Sequence, residues 1–187
     1  MIADLYDFDK TVYPKDSTTD YWLFCLKKHP KLIKYLPHQV ISAAKFFSKK
    51  YTLTEFKEQF FSFLPEIDAD SLAREYWQKN GDKIYNWFKP KENDALTVVC
   101  SASPEFEIRP ILEQLGADYI IGTKVDTETG EFVSPNCKGE EKVRRIKELL
   151  GECEFRNAYT DNVKSDAPML ELAENKFKIE SGRIIRL

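Results

Sequence analysis

Long apolar runs are missing from this chain. The longest wholly apolar stretch is Tyr21 to Leu26, far too short for a helix that crosses a bilayer. The first residues lead directly into Asp4, Asp7 and Asp9, which does not fit a secretory signal. Closely paired cysteines are missing too. Cys25, Cys100, Cys137 and Cys153 are widely separated and make no C-x-x-C motif, so a zinc site is not expected. Reduced thiols in a cytoplasmic protein are the expectation instead. There is no basic excess: 28 basic residues stand against 31 acidic ones, a net charge of −3. That balance does not favour nucleic acid, which selects a basic face. Histidine is scarce, with only His29 and His38, each beside a proline and neither next to a nucleophile. Both read as surface or interhelix residues. What is present is ordinary for a globular protein, with 42% hydrophobic and 32% charged residues in 187. That length suits one domain, or one domain with an insertion, and a sizeable core.

The stretch Asp4-Leu5-Tyr6-Asp7-Phe8-Asp9-Lys10-Thr11 carries the most chemistry. Ile2, Leu5, Tyr6 and Phe8 predict a short buried strand, with Asp7 and Asp9 at its carboxyl end. A spacing of two points both side chains to the same side of a strand. Two neighbouring carboxylates raise each other's pKa unless something positive sits beside them. A divalent cation would serve, and oxygen ligands suit Mg²⁺. The competing reading is a strand that ends in a solvated turn.

From about Asp16 to Phe88 no β-like alternation is sustained. Asp16, Ser17 and Thr18 offer caps for a helix from about Ser17 to Lys28. Pro30 and Pro37 punctuate the stretch beyond it. A second helix runs through Val40, Ile41, Ala44 and Phe47. Thr52 or Thr54 caps a third, with Phe56, Phe60, Phe61 and Phe63. A fourth starts between Asp68 and Ser71 and carries Leu72, Tyr76, Trp77, Ile84 and Trp87, with Gly81 able to split it. The aromatics read as a helical core, or in part as the lining of an apolar pocket. Ala95 to Cys100 is an apolar run suited to a strand buried on both faces. Ser103 followed by Pro104 predicts a helix start, and Gly116 its end. Tyr119 to Ile121 predicts a strand, Val125 to Val133 a hairpin or flap, and Glu140 to Leu150 a helix. Phe155 to Thr160 predicts a further core strand ending at Asp161, and Asp166 a cap for a helix through Met169. Phe177 to Ile179 and Ile184 to Ile185 predict terminal strands. Strands alternating with helices imply a parallel α/β sheet. Ligands bind such sheets at the carboxyl edge, where Asp7, Asp9, Ser101 and Asp161 would meet.

In their order and spacing these residues resemble the haloacid dehalogenase superfamily, within it the phosphoserine-phosphatase-like branch. Asp7-Phe8-Asp9-Lys10-Thr11 is similar to its first motif, D-x-D-x-T. Val98-Val99-Cys100-Ser101 is similar to its second. Lys142, at the start of a helix, is similar to its third, with Lys138 as a rival. Asp161 with Asp166 is similar to its fourth, although Thr160 stands where the family usually has glycine. The resemblance implies a Rossmann-like core from residues 1–13 and 94–187, with an inserted helical cap at 14–93. It also implies a Mg²⁺-dependent phosphomonoester hydrolase. Asp7 would be the nucleophile and Asp9 the acid and base. Ser101 and Lys142 would hold the phosphoryl group, and Asp166 would orient Lys142 or the metal's waters. Asp7, Asp161 and the carbonyl of Asp9 would be the metal ligands.

Two other readings stay open: a receiver-like phospho-acceptor module and an inactive relative whose cap binds a partner. The large helical insertion counts against the first, and intact Asp7 and Asp9 count against the second. For the substrate, the adjacent pairs Phe46-Phe47 and Phe60-Phe61 cannot both face one narrow stripe. Some of these aromatics would then face the active site or a partner, which favours a phosphomonoester with an apolar or aromatic portion or a lipid-like head group. Asp16 reads either as a helix cap or as a contact for a substrate amine.

Overall fold

A buried parallel strand needs apolar side chains on both faces, and Ala3, Leu5, Val98, Val99 and Ala158 supply them. The computed structural model describes residues 1–187 and places these residues in the middle of one sheet. The strands are β1 (Ile2–Tyr6), β2 (Leu96–Pro104), β3 (Tyr119–Thr123), β4 (Glu154–Thr160), β5 (Asn175–Glu180) and β6 (Arg183–Arg186). Their order is β3-β2-β1-β4-β5-β6. Only β6 runs antiparallel to its neighbour. Tyr6 pairs with both Val99 of β2 and Tyr159 of β4. That register brings the residues after β1 level with Ser101 and Asp161. The α/β sheet is the fold class that the alternation of elements implies.

The helices are α1 (Ser17–Lys28), α2 (Leu36–Phe47), α3 (Leu53–Phe61), α4 (Ala69–Asn80), α5 (Glu105–Leu115), α6 (Glu140–Leu150) and the single turn α7 (Ala167–Leu170). Three of the first four begin on side-chain caps. Asp16 accepts from the Thr19 amide, Thr52 forms a capping box with Glu55, and Asp68 accepts from the Ser71 amide. Such caps contribute about 1 kcal/mol each. No helix is long and apolar enough to cross a membrane.

Four details differ from the sequence reading. α4 stops at Asn80, where the Gly81 amide closes onto the Trp77 carbonyl, so Ile84 and Trp87 lie beyond the helix. β2 runs on through Pro104, and α5 starts at Glu105 with no side-chain cap. Ser103 does not cap that helix, because its hydroxyl is bonded to Asp9. Asp166 precedes α7, but its side chain makes no capping bond there. The Val125–Val133 segment pairs through the single bridge Val125–Phe132. Gly130, at φ 81°, lets this flap press on α3, since a Cβ there would lie 2.5 Å from the Phe61 carbonyl oxygen.

The aromatics of the helical segment make a core. One buried cluster joins Tyr21, Phe61 and Trp77 to Phe8, Val99 and Ile108, so the segment and the sheet share apolar surface. Trp77 meets Phe8 and Tyr13 edge-on, with ring centroids 5.7 and 5.2 Å away. Its indole N–H donates to the Glu107 carbonyl at 2.6 Å. Truncating a fully buried tryptophan leaves a large cavity. Trp77→Ala should therefore destabilise the fold by about 3–5 kcal/mol, read as a lower urea midpoint at unchanged slope.

Glu107 sits in the same core with no exposure. Neither carboxylate oxygen has a hydrogen-bond partner. Burial pushes its pKa well above the ordinary carboxylate value; the charges of Asp9 and Asp16 add to the rise, and the nearby Ser17 hydroxyl opposes it. A folded pKa above the unfolded one gives stability that is fully present at low pH and lost as pH rises through the raised value. Glu107→Gln keeps the shape and removes the titration. Its melting temperature should fall less than that of the wild type as pH rises above about 5. Parallel curves for the two proteins would show that Glu107 is not the group responsible.

Candidate active site

The turn after β1 is built on one carbonyl. The amides of Thr11, Val12 and Tyr13 all donate to the Phe8 carbonyl oxygen. Lys10 turns the chain in the left-handed region at φ 57°, which costs a non-glycine residue about 1 kcal/mol or more. Asp7 and Asp9 thereby line one cavity of about 300 Å³ at the carboxyl edge of the sheet. Ser101, Lys142, Asp161 and Asp166 line the same cavity. The structure therefore brings together every site residue that the sequence points to.

Lys142 is its centre. It is 2% exposed, and its Nζ lies 2.6 Å from Asp7 Oδ1 and 3.0 Å from Asp166 Oδ1. Burial works against its charge, but the two carboxylates outweigh that and hold its pKa above the lysine range. Burial pushes Asp7 upward, and the adjacent ammonium pulls it back toward the ionised form. Lys138 also lines the cavity, but it is exposed and makes no ion pair with Asp7.

Hydroxyls hold the carboxylates in place. Thr11 Oγ1 donates to Asp7 Oδ2 at 3.3 Å and accepts from the Asp161 amide at 2.8 Å. Thr160 Oγ1 donates to Asp166 Oδ2 at 2.7 Å and accepts from the Asn162 amide at 3.0 Å. Asp9 accepts from the Ser17 amide at 3.0 Å on one oxygen and from the Ser103 hydroxyl at 2.6 Å on the other. Burial raises the pKa of Asp9, the Asp16 charge raises it further, and these two bonds oppose the rise. Ser101 Oγ accepts from the Ser103 amide at 3.1 Å. Asp16 lines the cavity while also capping α1.

Several contributors escaped the sequence reading. Ser17 and Ser103 were visible only as helix-start residues. Lys57 of α3 reaches the cavity, where its Nζ donates to the Ala102 carbonyl at 2.7 Å and to Asn136 Oδ1 at 3.0 Å. Burial lowers its pKa, and the charges of Asp9 and Asp16 oppose that. Nothing in the sequence marks this lysine among its neighbours. The aromatic residues proposed for a pocket are not in this cavity. Trp22, Phe24, Phe46, Phe47, Phe60, Phe61, Trp77 and Trp87 are all absent from its lining, which is mostly charged.

The arrangement offers an ionisable carboxylate beside a fixed cation and a second carboxylate steered by two donors. Asp161 forms no ion pair, although burial raises its pKa and Lys10 counters the rise. Asp7 and Asp161 are oxygen donors of the kind a hard cation takes. No three carboxylate, imidazole or thiol side chains form a metal cage by themselves. An ion here would need backbone or water oxygens as well.

Residues 5–171 match the haloacid dehalogenase-like hydrolase family. Protein CicA of Caulobacter vibrioides is 29% identical over 95% of this chain and 86% of its own. A probable phosphatase of Mycobacterium tuberculosis is 34% identical, over 48% of this chain and 33% of its own. A protein of unknown function from Bordetella pertussis shares the fold at a TM-score of 0.76 and 20% identity, over 94% of this chain and 88% of that one. A phosphoserine phosphohydrolase-like protein from Francisella tularensis superposes at 0.59 and 16% identity, over 94% and 86%. With the family match spanning most of its length, this chain belongs to the haloacid dehalogenase-like hydrolases.

Proposed function

We propose that the protein is a Mg²⁺-dependent phosphomonoester hydrolase that works through an aspartyl phosphate. The observation that carries this reading is the placement of Asp7 and Asp9 on one cavity, with Lys142 2.6 Å from Asp7. An Asp7 oxygen attacks phosphorus, and the bond to the leaving oxygen breaks. Asp9, protonated at that moment, gives its proton to the leaving oxygen. It then takes a proton from the water that hydrolyses the aspartyl phosphate. The raised pKa of Asp9 suits that alternation. Lys142 offsets charge on the phosphoryl oxygens, and Ser101 donates a hydrogen bond to one of them. Asp166, held by Thr160, keeps Lys142 aimed.

Asp7, Asp161 and the Asp9 carbonyl would hold the Mg²⁺, which keeps several of its own waters in such sites. Bound there, it would neutralise phosphoryl charge. The carboxylate surplus supports this assignment, since Lys142 pairs with both Asp7 and Asp166 and leaves Asp161 without a cation.

Residues 14–93 act in this reading as the cap, with 1–13 and 94–187 as the core. Lys57 and Leu53 of that segment line the cavity. The charged lining supports a small, polar phosphomonoester rather than one with an aromatic portion. Asp16 and Lys57 are placed to meet an amine and an anionic group on it. Four free cysteines, all buried, are compatible with the proposed cytoplasmic location.

Asp7→Asn should reduce phosphomonoester turnover at least about a thousandfold, with its melting temperature close to wild type because Asp166 still faces Lys142. Chelator should abolish wild-type turnover, and Mg²⁺ should restore it. Wild-type turnover by the Asn variant would remove Asp7 from the mechanism. One phosphate taken up per chain without turnover would mark a phospho-acceptor module instead.

Ser103→Ala tests the steering of Asp9. One of the two donors on that carboxylate is lost, so kcat should fall about tenfold while KM changes little. An unchanged kcat would mean the Ser17 amide alone suffices.

A further inference from the structure

Charge is distributed very unevenly along this chain. Residues 21–54 hold seven lysines, no arginine and no acidic residue, although the whole chain is at −3. Lys28 pairs with Glu75 and Lys34 with Glu66. Lys27, Lys31, Lys49 and Lys50 are exposed and have no carboxylate partner.

The same segment carries apolar side chains on the outside. Phe47 is 81% exposed, Ile33 and Val40 59%, Leu23 57%, Ile41 55% and Leu36 44%. α2 is inverted relative to an ordinary surface helix. It buries Gln39 and Ser42 and exposes Leu36, Val40, Ile41 and Phe47. The inversion is stable because Gln39 is satisfied inside, accepting from the Trp22 indole at 2.9 Å and donating to the Phe60 carbonyl at 3.0 Å. Leu36, Val40, Ala43 and Phe47 follow a helical stripe. Beside it an apolar groove, lined by Leu23 and Leu26 of α1 together with Val40 and Ala43, holds about 360 Å³.

We propose that this face of α1 and α2 docks on an anionic lipid bilayer surface. Exposed aliphatic and phenyl groups enter the boundary between head groups and acyl chains, while lysines meet lipid phosphates. Charge complementarity selects this occupant over the others. Protein interfaces are depleted in lysine and enriched in arginine, the reverse of this segment. Nucleic acid would gain nothing from six exposed apolar side chains. The docking is independent of the catalytic reading, since none of these residues lines the active-site cavity.

The test is flotation of the full chain with vesicles of phosphatidylcholine alone, and with vesicles containing about one third phosphatidylglycerol. The wild type should float with the anionic vesicles only, and added salt should release it. Lys49→Glu with Lys50→Glu, and separately Phe47→Ser with Val40→Ser, should each weaken binding at least about tenfold. Turnover of a soluble phosphomonoester should be unchanged in both. Lys83→Glu with Lys147→Glu, away from the face, should bind as wild type, and so should Asp7→Asn. Absence of flotation with anionic vesicles would overturn the proposal. So would binding that ignores the patch variants or falls equally in the distant ones. A wild-type dimer that Phe47→Ser dissolves, in a chain that ignores vesicles, would assign the face to self-association and also overturn it.

Discussion

The structure turns on one buried ammonium. Taking an ion out of water costs several kcal/mol even after relaxation. Lys142 offsets that cost by touching two carboxylates, at 2.6 and 3.0 Å. Each of the three groups comes from a different part of the chain. Asp7 follows β1, Lys142 lies in the first turn of α6, and Asp166 follows β4. The ion cluster therefore specifies how these segments meet, because removing Lys142 would leave two carboxylates buried without their cation. It also leaves the cavity short of positive charge. Two carboxylates share one lysine and Asp161 has none, which suits a site that receives a divalent cation.

Hydroxyl groups make that electrostatic arrangement geometrically tight. Thr11 links the loops after β1 and β4 by bonding both Asp7 and the Asp161 amide. Thr160 ends β4 just before Asp161. A side chain there need not loosen the loop, because its hydroxyl bridges Asp166 to the Asn162 amide. Ser103 acts similarly on Asp9, and its Ser17 neighbour ties the start of α1 to the same carboxylate.

These two layers differ in how far the sequence exposes them. Asp7, Asp9, Ser101 and Asp161 could be read because each ends an apolar run, and parallel pairing puts the ends of such runs at one edge. The limits of α1 and α6 were readable from caps and a periodic apolar face. Ser103 was misread because Ser-Pro is a common helix start, and nothing local says that its hydroxyl is taken by a residue 94 positions away. Lys57 was hidden among many lysines, since only tertiary packing aims it inward. The aromatic pairs misled for the opposite reason. Two adjacent aromatics cannot share one stripe, but Phe60 and Phe61 both find packing, against Trp22 on one side and Phe132 on the other. A helix packed from two sides does not need a ligand to cover its second face.

The same two-sided packing makes α2 and α3 work as a unit. α2 packs mainly on α3 and on the turn Pro30–Tyr35. α3 sends Leu53 and Lys57 into the catalytic cavity, while α2 turns Val40 and Phe47 to the outside. One helical pair thus has a cavity side and an outer side, joined by the buried Gln39 that bonds both the Trp22 indole and the Phe60 carbonyl. Lys57 is held in the cavity by a carbonyl and an amide oxygen rather than by an ion pair. Those neutral partners hold it less firmly than carboxylates hold Lys142. Within this site the lysine on the sheet side is fixed by charge, and the lysine on the helical side by neutral oxygen acceptors.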